Sequence, residues 1–169
     1  LSIFGKVIGG GLPVGAYGGR RVVMQEISPA GPIYQAGTLS GNPISMAGGL
    51  ATLNSLGRSE LYDDLEAQTA SLCFGLETAA SDARIPFKCN FTCGMFGMFF
   101  TDNENIRSLE DVSRCDSDRF VKFFHSMLAN GVNLAPSRYE AGFLSIAHDD
   151  DVIKKTVDAA KQSFCLLNN

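Results

Sequence analysis

Gly5-Lys6-Val7-Ile8-Gly9-Gly10-Gly11-Leu12-Pro13-Val14-Gly15-Ala16 is the stretch on which the fold turns. A single lysine stands at an apolar edge and is followed by a run of glycines. Glycine takes positive φ without steric cost and lets another backbone or a ligand come close. An amine set against such a backbone loses hydration, and a dehydrated amine is a usable nucleophile for a carbonyl. Taken alone, the same pattern also describes a surface lysine beside a tight turn. It is not a phosphate-cradling P-loop, whose lysine follows the second glycine and precedes Ser or Thr, because Lys6 comes before the glycines.

Outward from this stretch, residues 7–8 and 14–17 read as short strands joined by the glycine turn, and 21–27 as a short helix closed by Ser28-Pro29. Asn42-Pro43 starts a helix, with a capping side chain and then proline in the first turn. Met46, Leu50 and Leu53 recur there at helical spacing, and Gly57 stops it. Ser59 reads as the cap of the next helix, whose Leu61, Leu65, Leu72 and Leu76 make one stripe. Pro86 introduces a hairpin with strands at 87–91 and 94–101, the second apolar on both faces and so covered on both. Residues 102–116 read as a polar surface loop. Ser117 begins a helix with Phe120, Phe124, Met127 and Leu128 inward and Asn130-Gly131 at its end. A brief strand at 132–135, a loop at 136–142 and an apolar segment at 143–147 follow. Asp149-Asp150-Asp151 opens a last helix, where negative charge suits the helix dipole, with Ile153, Val157, Ala160 and Phe164 inside. This order is α/β or α+β. The strands of the first 43 residues need partners that the chain does not supply.

Composition narrows the classes. Hydrophobic residues make up 45% and charged residues 19% of 169, which is globular rather than disordered. Fourteen basic against eighteen acidic side chains leave a net charge of −4, and no basic run marks a nucleic-acid binder. The longest apolar stretches, 95–100 and 164–167, are too short to cross a bilayer, and residues 1–11 carry no signal-peptide pattern. Cys73, Cys89, Cys93, Cys115 and Cys165 form an odd set with no histidine pair nearby, which reads as free thiols and no metal site. His125 reads as a partly exposed helix residue and His148 as a cap contact, and neither is given a role. Leu1 opens in mid-pattern, so the chain is expected to be a fragment.

The stretch around Lys6 resembles the cofactor-lysine motif of the class III pyridoxal-phosphate aminotransferases, Lys-x-x-Gly-x-Gly-x-Pro-x-Gly-Ala. Lys6, Gly9, Gly11, Pro13, Gly15 and Ala16 all match it. Two further segments are similar to the glutamate-1-semialdehyde aminomutase family within that class. They are Ala30-Gly31-Pro32-Ile33-Tyr34-Gln35-Ala36-Gly37-Thr38-Leu39-Ser40-Gly41-Asn42-Pro43 and Leu134-Ala135-Pro136-Ser137-Arg138-Tyr139-Glu140-Ala141-Gly142-Phe143. The resemblance spans nearly the whole chain.

The resemblance implies an α/β fold of the fold-type-I transferases. Residues 1–57 would be the end of the large cofactor domain with its connecting helix, and 58–169 the small C-terminal domain. It implies isomerisation of glutamate-1-semialdehyde to 5-aminolevulinate for tetrapyrrole (porphyrin) synthesis. Another class III aminotransferase, passing an ω-amino group to a 2-oxo acid, is the alternative. Lys6 would carry pyridoxal 5'-phosphate, in its pyridoxamine form for part of the cycle, and shuttle protons. Gly37 and Thr38 would meet the cofactor phosphate of the neighbouring subunit, which implies a homodimer with shared active sites and a small-molecule substrate. Tyr34 would line the site and Glu140 would face the substrate's amino groups. Read alone, Thr38 is equally a turn residue, Tyr34 a packing residue and Glu140 a solvated loop acid. A cytoplasmic setting is implied, or the plastid stroma for a plant or alga. The family's acid for the pyridine nitrogen, its ring-stacking aromatic and its substrate-carboxylate ligands would all lie before Leu1, so the isolated chain is expected to be inert.

Overall fold

The computed structural model describes residues 1–167, and in it the chain divides into two units, Leu1–Ser59 and a second that begins at Glu60. The first unit opens with an antiparallel pair, β1 (Ser2–Phe4) and β2 (Ala16–Gly18), with Ile3 opposite Tyr17. Between them Lys6–Gly9 forms a 3-10 turn, so the strand expected at 7–8 is not formed. The backbone curls there instead, with positive φ at Lys6, Gly10 and Gly11 and with Gly10 N–H donating to the Val7 carbonyl at 3.0 Å. A one-turn helix α1 (Arg21–Met24) leads to α2 (Pro43–Leu56). Asn42 caps α2 as its sequence position suggests: Oδ1 accepts from Ile44 N–H at 3.0 Å and from Ser45 N–H at 3.3 Å.

The face that α2 buries differs from the apolar stripe. Ser45 and Gly49 are buried, while Met46, Leu50 and Leu53 are 44%, 62% and 52% exposed. The reason is close approach to the lysine turn. A Cβ on Gly49 would lie 2.8 Å from the Ile8 carbonyl oxygen, and one on Gly48 would lie 2.8 Å from Leu12 Cδ1. A Cβ on Gly10 would meet the Gly48 carbonyl oxygen at 2.8 Å and Thr52 Oγ1 more closely still. Only a seam of glycines lets the two backbones touch.

The second unit is built on α3 (Glu60–Asp82), a hairpin and α6 (Asp150–Leu166). Leu61, Leu72 and Leu76 are buried along α3, as their spacing predicts. Glu60 and Asp63 supply negative charge to its first turn. β3 (Lys88–Thr92) and β4 (Met95–Phe99) pair antiparallel across the two-residue turn Cys93-Gly94, both at positive φ as such a turn requires. Thr69 Oγ1 accepts the Gly94 N–H at 3.1 Å, pinning the turn to α3. Along β4 and just beyond, Phe96, Met98 and Phe100 join the main core, whereas Phe99 turns to a second cluster with Ile106 and Cys115. Both faces are thus covered.

Residues 102–116 are not wholly irregular: α4 (Leu109–Ser113) forms behind a capping box of Ser108 and Asp111. The backbone N–H of Arg107, and then the hydroxyl and N–H of Ser108, hold the Asp111 carboxyl below the usual carboxylate range. In α5 (Ser117–Ala129), Phe120, Phe123 and Met127 are buried, while Leu128, expected inward, is 47% exposed. Phe123 takes the inner place because it completes an aromatic cluster with Phe164, Phe100 and Phe87. Residues 132–135 form no strand. The third strand of the small sheet is the two-residue β5 (Gly142–Phe143), antiparallel to β4. Asp149 caps α6, accepting from Val152 N–H at 2.9 Å, and Ile153, Ala160 and Phe164 are buried along it. Cys73 and Cys89, far apart in sequence, meet between α3 and β3. Hydrogen bonding to Cys73, and then burial, pushes the Cys89 thiol well up.

Candidate active site

Lys6 stands where an extended strand becomes a tight turn. Gly5 is fully extended at φ −164° and Lys6 is left-handed at φ 55°. Among the described residues only Lys6, Arg84 and Cys93 carry a side chain at positive φ. Such a conformation costs about 1 kcal/mol or more and persists where the surroundings impose it. Here the imposing element is the glycine seam with α2 described above. Its sequence signal was Gly48-Gly49 inside a helix, a pair that points to close backbone approach. The amine itself is exposed, so the dehydration expected of it is not supplied by residues 1–59.

The second cluster lies in the loop before α2. Ser28 N–H donates to the Ile33 carbonyl at 2.8 Å and Ile33 N–H to the Glu26 carbonyl at 2.9 Å, which anchors the start of the loop. Tyr34 is 82% exposed. Residues 37–40 then form a turn in which Ser40 N–H donates to the Gly37 carbonyl at 3.0 Å. A Cβ at Gly37 would lie 2.5 Å from Ser40 Oγ, a hydroxyl that can rotate away, and no nearer than 3.6 Å to the rest of Ser40. The N–H groups of Gly37 and Thr38 and the Thr38 hydroxyl make no hydrogen bond among the described residues. Free backbone donors beside a neutral hydroxyl suit a dianionic phosphate, so this donor set fits the phosphate end of pyridoxal phosphate. Gly37 lines an open groove of about 700 Å³ with Gln35, Ser40, Met46 and residues 13–17. Lys6 is not part of that groove.

The third element belongs to the second unit. Glu140 is exposed on the loop between residues 136 and 142, with its N–H donated to the Ser137 carbonyl at 3.0 Å. Beneath the loop lies a cavity of about 240 Å³ with Leu72, Phe96, Met98 and Phe120 among its walls. Arg138, Glu140 and His148 also border it. His148 is taken up locally, its Nδ1 accepting the Ser145 N–H at 3.0 Å. His125 is exposed, edge-on to the Phe124 ring. Arg138, to which the sequence assigned no role, reaches back to α4: Nη2 donates to the Ser113 carbonyl at 3.2 Å and Nη1 to the Cys115 carbonyl. No sequence signal marks it, because its partners are main-chain oxygens some twenty residues away. The structure therefore gathers Tyr34, Gly37 and Thr38 on one loop and leaves Lys6 on its own turn. Glu140 stands on the second unit.

Residues 1–148 match the family described as Aminotransferase class-III. Among solved structures, the chain is 26% identical to an omega-transaminase from Sphaerobacter thermophilus, over 96% of this chain and 37% of that one, with a TM-score of 0.82. It is 28% identical to a beta-phenylalanine aminotransferase from Variovorax paradoxus, over 95% and 37%, with a TM-score of 0.79. A glutamate-1-semialdehyde-aminomutase from Pseudomonas aeruginosa PAO1, solved in complex with PMP, is 17% identical over 95% and 38%, with a TM-score of 0.75. The chain thus spans between a third and two-fifths of the length of these proteins, and its fold is that of the fold-type-I pyridoxal-phosphate enzymes.

Proposed function

The chain belongs to the class-III aminotransferase family, and we propose that it serves an enzyme converting glutamate-1-semialdehyde to 5-aminolevulinate for tetrapyrrole synthesis. Enzymes of this class depend on pyridoxal phosphate, which when bound acts as the electron sink for bond breaking at an amino-bearing carbon. In the proposal Lys6 holds the cofactor through its ε-amine and, once released, moves protons between the substrate carbons. Gly37 and Thr38 donate to the phosphate at the neighbouring subunit's site, so the working form is a homodimer. Tyr34 lines that site. Glu140 faces the substrate's amino groups, where a carboxylate can hold a cationic amine.

The observation that carries the reading is the left-handed Lys6, forced onto the head of a glycine turn by its seam with α2. Backbone strain on a lone exposed lysine supports a functional use for that amine. All five cysteines are free, which suits a reducing compartment such as the cytoplasm.

A second reading, transfer of an ω- or β-amino group to a 2-oxo acid, is favoured by the higher identity to the omega-transaminase and the beta-phenylalanine aminotransferase. One assay separates the two. Full-length, cofactor-loaded enzyme given semialdehyde with no amino acceptor should form 5-aminolevulinate. Turnover that appears only when a 2-oxo acid is added would establish the transaminase instead. Lys6→Ala should abolish both turnover and the visible absorption of lysine-bound cofactor; a variant that keeps that absorption would remove Lys6 from the mechanism.

A further inference from the structure

We propose that Arg138 is a positioning residue for Glu140, acting as a clamp that fixes the loop carrying the carboxylate. The inference rests on the role given to Glu140 above.

The loop is tied down at both ends and little between. At one end Val132 N–H donates to the Met127 carbonyl at 2.9 Å. At the other, Gly142 pairs with Phe96 in the sheet, and Leu144 N–H donates to the Gly94 carbonyl at 2.7 Å. Among the described residues, every hydrogen bond leaving 133–141 for another element comes from the Arg138 guanidinium. The bonds of Tyr139 and Glu140 to Ser137 are internal to the loop, at 3.2 and 3.0 Å. Packing holds the start of the loop, where Leu134 lies against the main core, but Ser137, Arg138, Glu140 and Ala141 border the cavity of about 240 Å³.

The chemistry of the clamp is specific to arginine. Its planar fork serves the Ser113 carbonyl and the Cys115 carbonyl together, and Nη2 also donates to Tyr139 Oη at 2.9 Å. Both carbonyls close the turn at the C-terminus of α4, where backbone oxygens carry partial negative charge and favour a cation. A lysine ammonium has no fixed fork to span them. These acceptors are neutral, so Arg138 forms no ion pair among the described residues and does not neutralise Glu140 two positions on. The Glu140 carboxylate likewise makes no hydrogen bond or ion pair among the described residues and stays available to a substrate. Arg138 orients the loop, and Glu140 keeps its charge.

The test uses the full-length, cofactor-loaded enzyme with four variants: Arg138→Ala, Arg138→Lys, Glu140→Gln and the Ala/Gln double. Arg138→Gln, which keeps a donor and much of the volume, stands in should the alanine variant not fold. Arg138→Ala should lower kcat/KM about tenfold, the scale expected when a reacting group is displaced by a fraction of an ångström. Arg138→Lys should recover little of it. Amide exchange at Glu140 should quicken in both Arg138 variants while that of α3 stays unchanged, which separates a loosened loop from a weakened fold. In the Glu140→Gln background the loss of Arg138 should cost less than about twofold more, because a residue acting through another has no effect once that other is gone. Multiplying losses would overturn the inference and make Arg138 an independent substrate contact. Unchanged exchange in Arg138→Ala would overturn the clamp alone. A fully active Glu140→Gln would overturn the role of Glu140 itself, whatever the exchange data show.

Discussion

Gly142→Ala is the sharpest perturbation of the loop that does not touch Glu140. Gly142 faces Phe96 across the β4–β5 pair, and a Cβ there would lie 2.6 Å from Phe96 Cε1, 2.8 Å from Cε2 and closer still to Cζ. Carbon atoms rest near 3.6 Å, so the ring must retreat by about 1 Å or β5 must lift from β4. Phe96 is 6% exposed and belongs to the main core, which resists the first movement. Overpacking of this kind costs about 1–3 kcal/mol. The cavity beside the ring, of about 240 Å³, gives it somewhere to go and sets the expectation at the lower part of that range, about 1–2 kcal/mol. Urea unfolding followed by far-UV circular dichroism measures the change. Phe96→Leu removes the clashing ring atoms, so in the Gly142→Ala background it should cost less than in the parent, a coupling the double-mutant cycle reads directly. A Gly142→Ala change below about 0.5 kcal/mol, within the range of ordinary surface substitutions, would refute the reasoning.

Further outcomes follow from the same coordinates. Phe123→Ala deletes a fully buried ring stacked 4.6 Å from Phe164 and should cost about 3–5 kcal/mol in the same unfolding experiment; a loss under about 1.5 kcal/mol contradicts the aromatic core. Asn42→Ala removes the acceptor shared by Ile44 and Ser45 N–H, weakening the start of α2 by about 1 kcal/mol, and Asn42→Asp should restore it, as read by amide exchange at those two residues. Acid should loosen the α4 capping box. The Asp111 carboxyl sits below its ordinary range in the folded state, so its contribution is complete at neutral pH and is lost as pH falls through that depressed value. Amide exchange at Arg107 and Ser108, corrected for its intrinsic pH dependence, should rise over that window, and Asp111→Asn should remove the pH dependence.

The amino-acid order alone determined those features whose signals are local. The Asn42 cap, the α3 stripe and the acidic start of α6 each depend on a few neighbouring residues, and each stands where its pattern places it. The lysine ahead of its glycines was legible as a pattern, though one that a surface lysine beside a tight turn shares. Tertiary structure decided the rest. Whether α2 buries Met46 and Leu50 or Ser45 and Gly49 depends on what lies against it, and a glycine turn admits only a flat seam. Phe123 displaced Leu128 from the core because three other rings were waiting there. Arg138 found partners on main-chain oxygens, which any sequence possesses and no sequence advertises. Periodicity names the faces an element can offer; the shape of its neighbour, known only once the chain has folded, selects which of them is buried.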